Sequence, residues 1–338
     1  MVPILVGGAL EAAAARAEGA VAVGHGRRSI TYGELDQYSS ALAFALERRG
    51  VTSGDRVAML LDGPEAVVAF WAIAKAGAVG IALDAGDADD LAAILRDTDA
   101  RALVADAAVV ATFHHAVARA PALRVVITRG LQAEQATGSA SWVTYETAVA
   151  EEDPLSSPLA RRIDLDDAWL ERDEHGALWA LSHRVLLSRG ASLALGVGLG
   201  PDDAASGTDF VETTVACVLA GACLRLSGDA PRETGRSIWI QAPDDDTAPP
   251  TGSTAVLVHA TLECGSIAVV SQPNEPARVI PNVDVRIIDQ DGKPVAAKVV
   301  GEIAVRSSNV LESLPRDDGY FRTGDSGMLD DSGALYIL

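Results

Sequence analysis

From Arg28 to Asp106 the chain repeats one pattern, a helical stretch, a glycine or aspartate, then a short apolar run, and that alternation admits few folds. "ITYGELDQYSSALAFALERRG" carries apolar residues at helical spacing from Leu35 to Leu46, with Gly50 where a helix would end. "GDRVAMLLD" follows as a buried strand, "GPEAVVAFWAIAKAGA" as a helix and "VGIALD" as a second strand. "DADDLAAILRDTDA" predicts a helix whose acidic first turn suits the positive end of its dipole, and "RALVAD" predicts another strand. Parallel strands need a long crossover between them, and helices of this length supply it. The expectation is a parallel sheet flanked by helices.

Further along, "AAVVATFHHAVARA" predicts a helix, "LRVVITRG" a strand, "LQAEQATGSASW" a loop and "PLSSPLARRIDLDD" a surface connection. A helix is expected from Val185 to Leu195, and "FVETTVACVLAGACLRL" reads as a helix running into a strand. The Pro-, Asp- and Gly-rich stretch from Ser227 to Ser253 predicts a loop or shortened connection. After it the texture turns to β: "TAVLVHA", "SIAVVS", "VDVRIID", "GEIAVRS" and "GALYIL". The expected class is α/β, with layered parallel-sheet subdomains over residues 1–160 and 161–258 and a β-rich segment over 259–338.

Composition narrows the function. With 49% hydrophobic residues in 338, the chain can bury a sizeable core. A formal net charge of -20 repels phosphate backbones and anionic lipid, which argues against nucleic-acid and membrane partners. Cys217, Cys223 and Cys264 are too few and too scattered for a disulfide framework or a zinc cluster. No apolar run reaches the roughly 18 residues of a spanning helix, and the first residues lack the basic segment of a signal peptide, so the cytoplasm is expected.

Several short motifs carry no chemistry. "GVGLG" (Gly196–Gly200) follows a helical stretch rather than a strand, so it reads as a helix-terminating turn. "DQDGK" lacks the downstream glutamate of a calcium loop and reads as a turn. His114 and His115 have no third ligand nearby, and the "TGST" at Thr251 lacks the ending of a phosphate loop.

Three blocks in order resemble the large N-terminal domain of the adenylate-forming superfamily: acyl- and aryl-CoA synthetases, peptide-synthetase adenylation domains and luciferases. They are Ile30–Asp84, "LSHRVLL" at Leu181–Leu187, and His259–Leu338 with "HATLECG", "GEIAVRS", "GYFRTGD" and "GALYIL". The resemblance implies that Asp325, with Tyr320 close by, receives the ribose hydroxyls of ATP, since a carboxylate accepts from two vicinal hydroxyls at once. It implies that Glu263 helps hold magnesium. In that motif His259 stands for the family's Tyr, Ala260 for its Gly and Leu262 for its Thr.

Just before "LSHR" the family has a Ser/Thr/Gly-rich loop ending in Lys that wraps the β- and γ-phosphates. This chain reads "WLERDEHGALWALSHR" from Trp169 to Arg184, with no Ser, Thr or Lys before Ser182 and with Glu171, Asp173 and Glu174 in their place. These charges repel phosphate. The family's pocket-wall segment shrinks to the stretch around Pro243–Pro250. The sequence ends at Leu338, where the family's small C-terminal domain and its catalytic Lys would follow.

The resemblance therefore implies a degenerate homologue of the acid-thiol ligases. It would be unable to complete ATP-dependent carboxylate activation, and would hold ATP or AMP and Mg only if residual binding survives. It would work beside an acyl carrier protein, a synthetase or another biosynthetic protein, or as a homodimer. Two alternatives stay open. One is an active AMP-forming ligase completed by another polypeptide. The other is a repurposed groove enzyme using His183, His259, Glu263 or Cys264, in which a His–Glu pair does acid–base work.

Overall fold

The computed structural model describes residues 5–83, 91–112, 117, 120–130, 140–150, 163–173, 175–207, 209–227, 235–242, 249, 252–270 and 276–338. His114, His115, Glu174, Thr251 and most of the Pro243–Pro250 stretch lie outside the described residues. The chain divides into two compact units, Met1–Val23 with Ile30–His183, and Gly24–Ser29 with Arg184–Leu338.

The first unit carries the alternation expected from the sequence. Its seven-stranded sheet runs in the order Ser141–Thr144, Val125–Arg129, Ala102–Asp106, Arg56–Leu60, Val79–Ala82, Asp167–Arg172, Leu178–Ser182. Every pair is parallel except the last, which closes the sheet as an antiparallel hairpin. Apart from Arg56 and Asp106 at their ends, the central strands Arg56–Leu60, Val79–Ala82 and Ala102–Asp106 are apolar, as strands covered on both faces are. The helix Tyr32–Arg48 starts on a capping box: Thr31 Oγ1 accepts from the Glu34 amide at 3.2 Å, and Glu34 Oε2 accepts from the Thr31 amide at 2.9 Å. Such a cap is worth about 1 kcal/mol. The helix Gly63–Lys75 opens with Pro64, whose missing N–H costs nothing in a first turn.

One expectation fails here. Within "LQAEQATGSASW", residues 131–139 lie outside the described residues, but Ser141 and Trp142 belong to a strand, not a loop. That strand is the sheet edge, paired on one side only with Val125–Arg129, and its residues are half-buried or exposed. Edge placement removes the buried alternation by which a strand is recognised.

The second unit combines an eight-stranded sheet with a four-stranded antiparallel one. The larger runs Arg278–Val279, Gly265–Val270, Thr254–Thr261, Ser237–Gln241, Ala204–Gly207, Cys223–Ser227, and then the two strands that carry Gly24–Ser29. The smaller is formed by Val283–Ile288, Gly301–Ser307, Phe321–Leu329 and Leu335–Ile337. The two share a core of Cys264, Ile267, Ala268, Ile287, Ile303, Val305 and Leu335, which draws Thr254–Val270 toward the smaller sheet. Among the described residues no helix is long and apolar enough to cross a membrane.

Candidate functional site

Each unit carries part of the expected site. In the first unit the acidic segment that stands for the family's phosphate loop is part of a hairpin, Asp167–Arg172 against Leu178–Ser182. Trp169 anchors its first strand, only 2% exposed, its ring centroid 4.9 Å from that of Phe70. At the tip, Asp173 Oδ1 accepts from the amides of His175 (2.9 Å) and Ala177 (2.8 Å), and Oδ2 accepts from the Trp179 indole (3.0 Å). The indole bond, with help from the two amides, holds the Asp173 carboxyl below the usual carboxylate range. Asp adopts this role readily because its short side chain reaches the amides two and four residues on. His183, a candidate acid–base residue, ends this unit fully buried, with Nδ1 3.3 Å from the Val6 amide that donates to it.

In the second unit the "TGD" segment is a bulge. Ala304 pairs with Arg322 and Glu302 with Ser326, so the one residue Ile303 stands opposite Thr323, Gly324 and Asp325. Thr323 Oγ1 donates to the Ile303 carbonyl (2.9 Å) and accepts from the Asp325 amide (3.1 Å), while the Gly324 amide donates to Glu302 Oε1 (3.2 Å). Gly324 sits at φ +84°, a conformation a side chain disfavours. A bulge re-aims a side chain, and here it aims Asp325 at His259. His259 Nε2 lies 3.0 Å from Asp325 Oδ2, and the strand carrying His259 has its own register shift between His259 and Ala260. Two irregular strands thus join residues 66 apart in sequence.

Glu263 lies in the turn just beyond His259. Its carbonyl accepts from the Leu311 amide (3.0 Å), and the preceding Leu262 carbonyl accepts from Arg189 Nη2 (2.7 Å). Arg189 is buried and also donates to the Asn309 carbonyl at 3.0 Å. Gly265 closes the turn at φ +62°, where a Cβ would meet Arg189 Cδ at 2.7 Å. Cys264 is buried, and burial pushes its thiol up to about 11, so it is a poor nucleophile. Tyr320 is 6% exposed. The guanidinium groups of Arg286 (4.0 Å) and Arg306 (4.9 Å) both stack over its ring, and its hydroxyl donates to Asp284 at 2.6 Å.

Three features of the second unit escaped the sequence analysis. Ser237–Gln241, expected within a loop or shortened connection over Ser227–Ser253, is a strand paired on both sides. The other two are side-chain arrangements. Glu212, in the helix Phe210–Ala220, is buried and accepts a hydrogen bond from Ser266 Oγ. Burial pushes its carboxyl up to about 7, and the nearby Asp209 charge adds to the effect. A glutamate inside the apolar run "FVETTVACV" was the available signal. The Arg189 clamp on the Glu263 turn bridges 73 residues and had no local signal.

The family implied by these motifs uses ATP and Mg, and the residues present can be tested for it. The amides of His175 and Ala177 face Asp173 rather than an open concavity, and residues 169–181 supply no hydroxyl and no ammonium. A phosphate cradle needs all three kinds of donor, so this turn does not fit a triphosphate. Among the described residues no three His, Cys, Asp or Glu side chains gather as metal ligands.

The model of the AMP-binding enzyme family matches residues 10–170. A naringenin synthase of Pestalotiopsis fici is 25% identical over 90% of this chain and 14% of its own length. An acetyl-coenzyme A synthetase of Streptomyces avermitilis is 46% identical over 23% of this chain and 12% of its own. The chain thus spans a small part of the curated relatives it matches. The N-terminal domain of FACL13 from Mycobacterium tuberculosis has the same fold, with TM-score 0.77 and 18% identity, over 99% of this chain and 100% of that one. Residues 10–170 thus match the AMP-binding enzyme family, and the fold of the chain is that of the N-terminal domains of adenylate-forming enzymes.

Proposed function

We propose that this chain does not complete ATP-dependent carboxylate activation and serves as a non-catalytic or repurposed member of an acyl or natural-product biosynthetic system. The observation that carries the proposal is the Asp173 turn. Its own carboxylate takes the two amides and the indole that an anion would otherwise use. A phosphate entering there must displace a bound carboxylate and then sit beside its charge. The partner is a larger assembly, an acyl carrier protein or a synthetase. The match to a naringenin synthase over 90% of this chain, but 14% of that enzyme, supports this placement.

Calorimetry with ATP·Mg and pyrophosphate exchange over a carboxylate panel test the proposal. We expect no exchange and no binding tighter than about 1 mM. Micromolar ATP binding together with exchange overturns it.

One observation favours a second reading. The Thr323–Asp325 bulge is pinned as a working binding element would be, and Asp325 keeps 36% of its side chain exposed. On this reading the chain is an AMP-forming ligase completed by another polypeptide. Mixing it with a stand-alone C-terminal domain and finding AMP release selects that reading; the absence of AMP across the panel removes it.

A further inference from the structure

Asp325 is a carboxylate on a rigid platform. Its amide donates to Thr323 Oγ1, the preceding Gly324 amide donates to Glu302, and Thr323 is tied to the Ile303 carbonyl, so the side chain is held where the bulge aims it. What it meets there is the His259 imidazole, 3.0 Å from Oδ2. The imidazole is itself mostly covered, with 16% of its side chain exposed, so it is held against the carboxylate rather than waving in solvent.

A vicinal diol binds a carboxylate best by donating one hydroxyl to each oxygen, a two-point contact that a single alcohol lacks. An imidazole N–H on Oδ2 uses one of those two oxygens, and its ring fills the space beside it. The diol must then displace a hydrogen bond to a charged group, which is among the stronger kinds.

We infer that His259 is a specificity-determining residue that occupies the Asp325 carboxylate from within the protein and so excludes ligands presenting a vicinal diol, nucleosides foremost. The inference rests on the proposed loss of nucleotide-dependent activation and deepens it. At this position refusal comes from an occupied receptor rather than from a missing one. A ligand that this unit does accept would leave the His259–Asp325 bond in place, and so would be neither a ribonucleoside nor another cis-diol.

Adenosine is the probe, because it has the diol and no phosphate and is therefore indifferent to the Asp173 turn. Its binding to the full chain is measured by calorimetry for wild type, His259→Ala, His259→Tyr and the double variant His259→Ala/Asp325→Asn, with folding checked by circular dichroism and melting. We expect the single variants to bind adenosine at least about tenfold more tightly than wild type. The gain should vanish in the double variant and with 2′-deoxyadenosine, which lacks the diol.

Equal affinity of folded wild type and single variants overturns the inference, as does the same gain with 2′-deoxyadenosine. If the variants do not fold, the wild type decides. Its His259 ring resonances should keep the Nε2–H tautomer and stay unmoved by millimolar adenosine, and a saturable shift sinks the inference. Failure here leaves the ATP·Mg exchange result untouched, and the converse also holds.

Discussion

Asp173 in the first unit and Asp325 in the second are both carboxylates at backbone irregularities, yet they stand in opposite relations to a ligand. Asp173 occurs where the family has hydroxyls and an ammonium, and it turns inward to take the amides of its own hairpin. Asp325 is the residue the family motif calls for, carried on the bulge that "TGD" builds, and it is met by a side chain from another strand. In the first region the donors face a built-in anion. In the second the acceptor survives and is occupied. On the proposed reading a binding motif falls silent by rewriting or by covering, and only rewriting leaves a mark in the motif itself.

The comparison assumes that the hairpin is a stable element and not a collapsed loop, and its anchor tests that most severely. Trp169→Ala should cost about 3–5 kcal/mol in urea unfolding, as expected for a buried indole packed on Phe70. A loss below about 1.5 kcal/mol would mean the core does not hold the hairpin.

A smaller effect tests the buried carboxyl of the second unit, whose folded value of about 7 lies above the ordinary 4.5. Such a group binds its proton more tightly when folded. Its favourable contribution is complete below about 4.5 and disappears as pH rises to about 7. Glu212→Gln keeps a partner for Ser266 without the charge. It should match wild type near pH 4.5 and exceed it by roughly 2–3 kcal/mol at pH 8, read from unfolding curves at both pH values. A difference independent of pH would show that the Glu212 carboxyl binds its proton equally well in the folded and unfolded chain.

The bulge itself is tested by Thr323→Val, which removes two hydrogen bonds while keeping the shape. We expect a loss of about 1–2 kcal/mol and a weakened His259 to Asp325 contact, visible as a changed imidazole resonance. The smallest effect belongs to the exposed turn. Asp173→Ala should leave the melting temperature nearly unchanged while the His175 and Ala177 amides lose their protection from hydrogen exchange. Undiminished protection would show that something else holds those amides.

Much of this was legible from local pattern. The periodicity of Leu35–Leu46 and the apolar runs "RVAML" and "ALVAD" announce helices and strands that bury their surfaces within a few residues of chain. The acidic, hydroxyl-free character of residues 169–181 was equally plain. The strand Ser141–Thr144 was not, because at a sheet edge pairing with Val125–Arg129 makes it a strand while its side chains stay half in water. The helix Tyr145–Ala150 is too short for a period to show.

The parallel architecture of the first unit and the chemical hostility of its turn to polyphosphate follow from residue types and spacing alone, because periodicity and charge are properties of a local stretch. The engagement of Asp325 by His259, the two cations over the Tyr320 ring and the raised carboxyl of Glu212 do not. Each depends on what a folded sheet brings within about 5 Å, where hydrogen bonding, cation–π attraction and desolvation act, and linear order carries no record of that distance.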